Sequence, residues 1–328
     1  MPLAFLKPIQ SNFILTKGDD LNEHQLIREF FSDVGSNFLS EQGIVLGIGD
    51  DAASYNPPDG HEIILSCDTS IEGVHFFKDQ LVEDIAYRSV AVALSDLAAC
   101  GAKPCWFMVS LTMENNDNYW LSKFSKGLQE IANEFRIPLI GGDTTKGPLV
   151  ITIQVGGIVK KGEMITRAGA RAGDLIFVSG TVGEAFLGLT QFKNKALVKK
   201  SVDKFIRPVP RFDLRNILLR SASSAIDISD GLAQDLQQIC FASNVGARIN
   251  FDKIPFPKNI TFEEKKHILS AGDDYEICFT VHEKSKSDLL KHSDGLIFSQ
   301  IGYITQEKDF IIENKNQPLD LSEGYSHF

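Results

Sequence analysis

The chain has 328 residues, 43% hydrophobic and 23% charged, with a formal net charge of −10. That length suits two domains with full apolar cores. The acidic balance excludes a general nucleic-acid or anionic-membrane binder, which needs a basic surface, but not a nucleotide, because Mg²⁺ between carboxylates and phosphates reverses the local sign.

The five cysteines, Cys67, Cys100, Cys105, Cys240 and Cys278, form no C-x-x-C pair and read as reduced thiols of a cytoplasmic protein. No run of about 18 apolar residues predicts a membrane span. The first residues lack the basic region and cleavage-like site of a signal peptide. Residues 1–20 read as an extension of little intrinsic structure.

Asn22 is placed to cap a helix carrying Leu26, Ile27, Phe30 and Phe31 on one face. Ile44–Ile48 reads as a strand entering Gly49-Asp50-Asp51, and Pro57-Pro58-Asp59-Gly60 as a turn. Ile63–Leu65 reads as a short strand closed by Ser66-Cys67-Asp68. A helix is predicted over residues 81–100, with Leu81, Ile85, Val92 and Leu97 on its apolar face and Asp96 in its last turns. Strand Trp106–Leu111, an amphipathic helix over 118–135, and Leu139-Ile140 leading into Gly141-Gly142-Asp143 follow, then strand Leu149–Val155.

A shift of character near Gly156–Gly162, followed by the loop Thr166–Arg171, divides the chain into domains at 21–157 and 158–328. The second domain alternates strands and helices, including strand Ala225–Ile228 and a helix from about Leu232 to Ala242. The class is α+β, or mixed α/β.

The carboxylates Asp50, Asp68, Asp143, Asp227 and Asp230 sit beside glycines or at predicted strand ends, and Asp96 follows Ser95 near the end of its predicted helix. Mg²⁺ takes one or two carboxylates together with phosphate oxygens and water, so several such clusters around one crevice point to several metals on a polyphosphate. Taken singly, each Asp also suits a helix cap or an Asx-turn. Gly47-x-Gly49-x-x-Ala52 imitates a dinucleotide fingerprint, but the Pro-Pro-Asp-Gly turn stands where that fingerprint needs a helix. P-loop and protein-kinase motifs are absent. The predicted helix start after Asp227-Ile228-Ser229-Asp230-Gly231 offers unpaired N–H groups to an anion, and helix capping by Ser229 or Asp230 is the plainer alternative. Arg167 suits a phosphate contact or a solvated surface, and His75 a ligand contact or simple packing beside Phe76 and Phe77.

In order, Gly47–Asp51, Asp68 with Glu72–Phe76, Leu94–Ala99, Gly141–Thr145, Asp227–Leu232 and the terminal Gly324-Tyr325-Ser326-His327-Phe328 resemble the thiamine-monophosphate kinase family, within the aminoimidazole ribonucleotide synthetase-like superfamily. The resemblance runs from about Glu23 to Phe328. It implies a two-domain fold in which the N-terminal mixed sheet and its helices form the dimer and the ATP crevice. It implies transfer of the ATP γ-phosphoryl group to thiamine monophosphate by a homodimer using several Mg²⁺ ions, with no acid or base catalyst. By motif, Asp50, Ser66, Cys67, Asp68, Asp96, Asp143, Asp227 and Asp230 correspond to magnesium ligands. Gly142, Asp143, Arg167 and Ser229 correspond to ATP contacts, and His75, Asp273 and Tyr325 to substrate contacts. Two positions depart from the family pattern. Cys67 stands where Thr is common, which moves any metal contact to the backbone carbonyl, and Asp273 stands where Glu is common, one methylene shorter. Another ATP-using enzyme of the superfamily and a non-catalytic Mg-nucleotide sensor are the alternatives.

Overall fold

The computed structural model describes residues 21–195, 199–293, 295–315 and 317–319, with side chains except at 199 and 200. The extension over residues 1–20 and the terminal Tyr325 lie outside the described residues. Asn22 caps α1 (Glu23–Leu26) in a reciprocal box with Gln25, and one wider turn continues it through Ile27–Phe31. β1 (Ile44–Leu46) pairs antiparallel with β2 (Ser54–Tyr55). The strand predicted to run to Ile48 therefore stops at Leu46, and the chain from Gly47 to Ala53 is a loop lining a cavity.

A four-stranded sheet follows in the order β3 (His61–Ile71), β6 (Val150–Lys160), β4 (Lys103–Met113) and β5 (Leu139–Lys146); only β4 and β5 run parallel. Strand β3 has eleven residues, not the three predicted, and Asp68 lies within it rather than at its end. Asp143 likewise lies inside β5. The polar run Ser66–Ser70 hid the strand because its alternate residues face a crevice instead of an apolar core. Ile64 and Ser70 are buried on one face, while Ile63, Leu65 and Ile71 are exposed on the other.

Helix α2 (Val82–Ala99) lies on the inner face of this sheet, and α3 (Asn118–Phe135), capped by Asp117, packs on α2. From Ile85 to Ala99 every residue of α2 except Asp96 is buried, so the helix is enclosed nearly all round, its few polar side chains included. Leu81 was expected on its apolar face, but it is the N-cap residue and is 67% exposed.

The second half holds a seven-stranded sheet: β13 (Gln317–Pro318), β12 (Phe310–Asn314), β9 (Gly246–Asn250), β11 (Phe298–Thr305), β7 (Leu175–Ser179), β10 (Ile277–Val281) and β8 (Ala222–Asp227). Strand β7 is buried on both faces. Its Ile176 and Val178 join one core with α7 (Leu232–Ser243) and α8 (Phe262–Ile268). Its Leu175 and Phe177 join another with α6 (Arg215–Ser221) and α9 (Lys286–Lys291). Alternation of a period-two strand thus feeds two separate cores. Helices α4 (Glu184–Lys193) and α5 (Lys199–Ile206) precede α6.

The two halves meet along α2. Arg207, just beyond α5, pairs with Asp84 at 2.5 Å and with Glu130 of α3 at 2.7 Å. The Ile165 N–H donates to the Cys100 carbonyl at 3.1 Å. Among the described residues no helix is long and apolar enough to cross a membrane.

Candidate active site

Ser66 and Asp68 stand on the inner face of β3, two residues apart, and so point the same way. The Ser66 hydroxyl donates to the Asp96 carboxylate of α2. Asp227, at the end of β8, is buried at 4% exposure, and burial together with the Asp96 charge holds its carboxyl well above the usual range. Burial, then the charges of Asp96 and Asp230, push Asp68 up to about 6. Asp68, Asp96, Asp227 and Asp230 therefore form one acidic group spanning the two halves. Arg167 lines a cavity of about 430 Å³ with Ser66, Asp96 and Asp227.

The loop carrying Ser229 and Asp230 differs from expectation. Its N–H groups are not open to an anion: those of Ser229, Asp230 and Gly231 all donate to Oδ2 of Asp235, each at 3.1 Å. Neither Ser229 nor Asp230 caps α7, whose N-cap residue is Gly231. Asp235 was missed in the sequence, although a carboxylate in the first turn of a helix is a known partner for the preceding amides. A second strap joins this loop to residues 271–276. The N–H groups of Asp273 and Tyr275 donate to the carbonyls of Ser229 and Ile228 at 2.9 and 2.8 Å. At Gly272 any Cβ would collide with the Ser229 carbonyl.

The Arg167 loop is held from the far end of α7. Ser243 Oγ accepts the N–H groups of Gly169 and Ala170 at 3.1 Å each and donates to the Arg167 carbonyl at 3.2 Å. The Arg167 residue is exposed.

Asp50, Gly142 and Asp143 line a different cavity, of about 550 Å³, with Asp51, His24, Ile27 and Phe31. The register runs Asp68, Ile153, Val109, Gly142 in one row and Thr69, Thr152, Ser110, Asp143 in the next. Three strand spacings, roughly 14 Å, separate Asp68 from the Gly142 position. The sheet thus divides the predicted acidic set into two groups. Gly142 has φ 153°, and a Cβ there would collide with the Val109 carbonyl, so β5 can approach β4 this closely only with glycine. Asp51 is exposed, and its N–H donates to Asp50 Oδ1 at 2.8 Å.

Cys67 is exposed on the outer face of β3, so its thiol points away from Ser66 and Asp68. His75 Nδ1 accepts the Ile71 N–H at 3.0 Å, which anchors the ring at the end of β3. Asp273 Oδ1 is held by Arg88 at 2.6 Å and by the Tyr275 hydroxyl at 3.1 Å.

Among the described residues no three His, Cys, Asp or Glu side chains converge to hold a metal by themselves. The donors are nonetheless all oxygens, and the Asp68 and Asp227 carboxyls are raised first by burial and then by the neighbouring carboxylate charges, both of which a bound cation would offset. This set fits Mg²⁺, which brings phosphate oxygens and water to complete its shell, and not a soft metal needing a closed cage.

Residues 49–159 match the family described as AIR synthase related protein, N-terminal domain, and residues 171–314 match its C-terminal domain. The thiamine-monophosphate kinase of Escherichia coli (strain K12) is 40% identical over 323 residues, covering 93% of this chain and 98% of that protein. The chain belongs to the thiamine-monophosphate kinase family. The crystal structure of the thiamine-monophosphate kinase from Stenotrophomonas maltophilia superposes with a TM-score of 0.79 at 32% identity, covering 86% of this chain and 97% of that one. AaThiL complexed with AMPPCP and TMP shares the fold, with a TM-score of 0.74 at 23% identity over 83% of this chain and 89% of that one. The two-domain AIR synthase-like α+β architecture expected from sequence is thus the one observed. In this chain the Cys67 side chain is exposed, away from the acidic group, and Asp273 is tied to Arg88.

Proposed function

We propose that this chain transfers the γ-phosphoryl group of ATP to thiamine monophosphate, giving thiamine diphosphate and ADP. The observation that carries the reading is the facing of Asp96 and Asp227 across the two halves, with Ser66 and Arg167 in the same cavity. Two anions must be joined here, and the site crowds carboxylates where phosphates need bridging charge. Asp68, Asp96, Asp227 and Asp230 would hold Mg²⁺ on one side, with Ser66 and the Cys67 carbonyl beside them. Asp50 and Asp143 would hold it on the other. When bound, several Mg²⁺ ions would neutralise the phosphates and relieve their repulsion.

The chain's own part is to position. Arg167 offers a planar fork to phosphate oxygens. Gly142 and Ser229 bring backbone and hydroxyl close to ATP. His75, Asp273 and Tyr325 are assigned to the acceptor. No side chain is assigned as acid or base, because the acceptor phosphate is already ionised at neutral pH. Transfer is direct and in line, without a phosphoenzyme.

The active form is a homodimer in the cytoplasm, divided at 157/158 into an ATP-binding domain and a C-terminal domain, with no nucleic-acid or membrane partner. The exposed apolar residues Ile63, Leu65 and Ile71 on the outer face of β3, with the exposed Val45 and Leu46 of β1, support the second copy. The test is turnover: ATP, Mg²⁺ and thiamine monophosphate should give ADP and thiamine diphosphate one for one. ATP bound without product, or a stable phosphoprotein formed from ATP alone, would overturn the reading or its direct mechanism respectively.

A further inference from the structure

We propose that Arg88 is a positioning residue for the acceptor: it reaches out of α2 in the first half and locks the 271–275 loop of the second half into its working shape. This rests on the phosphoryl-transfer reading above.

Arg88 is 5% exposed, on the buried helix α2. Its Nη1 donates to the Phe205 carbonyl of α5, and its Nη2 donates to Asp273 Oδ1 at 2.6 Å. The guanidinium lies 4.8 Å from the centre of the Phe205 ring and 5.8 Å from that of Tyr275. A guanidinium used on its face by aromatic rings and on its edge by two oxygens is pinned in all directions.

What it pins is a loop that cannot hold its shape unaided. Asp273 and Tyr275 have φ of 75° and 50°, left-handed values that cost free energy in any residue with a Cβ, and more in a bulky one. Such strain persists only where surrounding contacts over-determine it. Here they do. The Arg88 bond and the Tyr275 hydroxyl both converge on Asp273 Oδ1, while the backbone of the same loop is laced to Ile228 and Ser229. Ser229 and Asp230 keep a tether of their own, since Asp235 holds their N–H groups, so loss of the Arg88 fork falls on Asp273. Deleting the Arg88 fork would leave Asp273, 33% exposed at its side chain, free to swing, and would let Tyr275 relax toward ordinary backbone angles.

A merely structural arginine would affect both substrates alike. A positioning role on this loop predicts a split. In R88M the KM for thiamine monophosphate should rise about tenfold or more, while the KM for ATP moves less than about threefold. R88K, which keeps the charge but loses the fork, should fall between R88M and wild type. The double variant R88M/D273N should be no worse than D273N alone, because Arg88 acts on the acceptor only through Asp273. If wild type shows no transfer to thiamine monophosphate, the functional reading fails. If wild type turns over and R88M changes both KM values equally, or neither, the positioning role fails. If R88M does not fold, R88K decides by the same ratio of KM values.

Discussion

Asp227 and Asp96 face each other across the junction of the two halves, one at the end of β8 and the other in the last turn of α2, and burial with the Asp96 charge raises the Asp227 carboxyl well above its usual range. Like charges brought together by folding oppose it unless a ligand repays the cost. Asp227→Asn should therefore leave the ligand-free melting temperature equal or higher while lowering kcat by about a hundredfold or more. Thermal unfolding without Mg²⁺ and steady-state turnover check this. A large drop in melting temperature would make Asp227 a structural residue instead.

The Asp235 carboxylate decides whether the Ser229–Gly231 loop has a defined shape. Asp235→Ala orphans three N–H groups in a loop that water reaches only in part. The expected cost is about 1–3 kcal/mol, seen in denaturant unfolding, together with a raised KM for Mg-ATP. Asp235→Asn keeps one accepting oxygen and should recover most of the stability. If the two variants lose equal stability, the carboxylate's hydrogen bonds to the loop are not what holds it.

Much of this was legible from residues alone, for physical reasons. Asn22 caps locally, and α3 carries its apolar stripe at helical spacing, so neither needs tertiary context. Asp68 was misplaced at a strand end because half of β3 faces a polar crevice, which erases the alternation a core would impose. The Arg88–Asp273 pair spans 185 positions, and no local pattern announces it. Asp50 and Asp143 were grouped with Asp68 by motif, whereas the sheet register sets Asp143 apart from Asp68, in another cavity that the Asp50 loop also lines. Motif reading puts these residues in one list; pairing register decides which of them meet.

Ser66 and Cys67 are neighbours with opposite fates. Successive side chains of a strand point to opposite faces, so the hydroxyl meets Asp96 while the thiol is exposed on the outer face. Ser66→Ala should lower kcat about tenfold or more and raise the Mg²⁺ concentration needed for half-maximal rate. Cys67→Ala should change both by less than about threefold, since its contribution to the site is a backbone carbonyl that alanine retains. Parallel Mg²⁺ titrations of the two variants make the comparison. A Cys67→Ala loss as large as that of Ser66→Ala would show that the thiol side is the working one.

Glu276 holds the second half together from within. It is 3% exposed and pairs with Lys204 at 2.8 Å and with Arg211, while the Ser179 hydroxyl donates to it at 2.6 Å. Burial pushes its carboxyl up, but the Lys204 and Arg211 charges outweigh burial and hold it below the ordinary value of 4.5. Removing one member of a buried ionic cluster leaves the others unpaired and costs about 3–5 kcal/mol. Glu276→Gln should lose about that much at neutral pH. The sign of the pH dependence follows from the lowered pKa. The unfolded chain takes up the proton first as pH falls, so the glutamate's contribution is complete above about 4.5 and is lost as pH drops through the folded value. The stability gap between wild type and Glu276→Gln should therefore be constant from pH 6 to 8 and narrow below about 4.5. Urea unfolding of both proteins across that range measures it. A gap that widens on acidification would mean that Glu276 is held neutral in the fold, and that Lys204 and Arg211 are balanced by other charges.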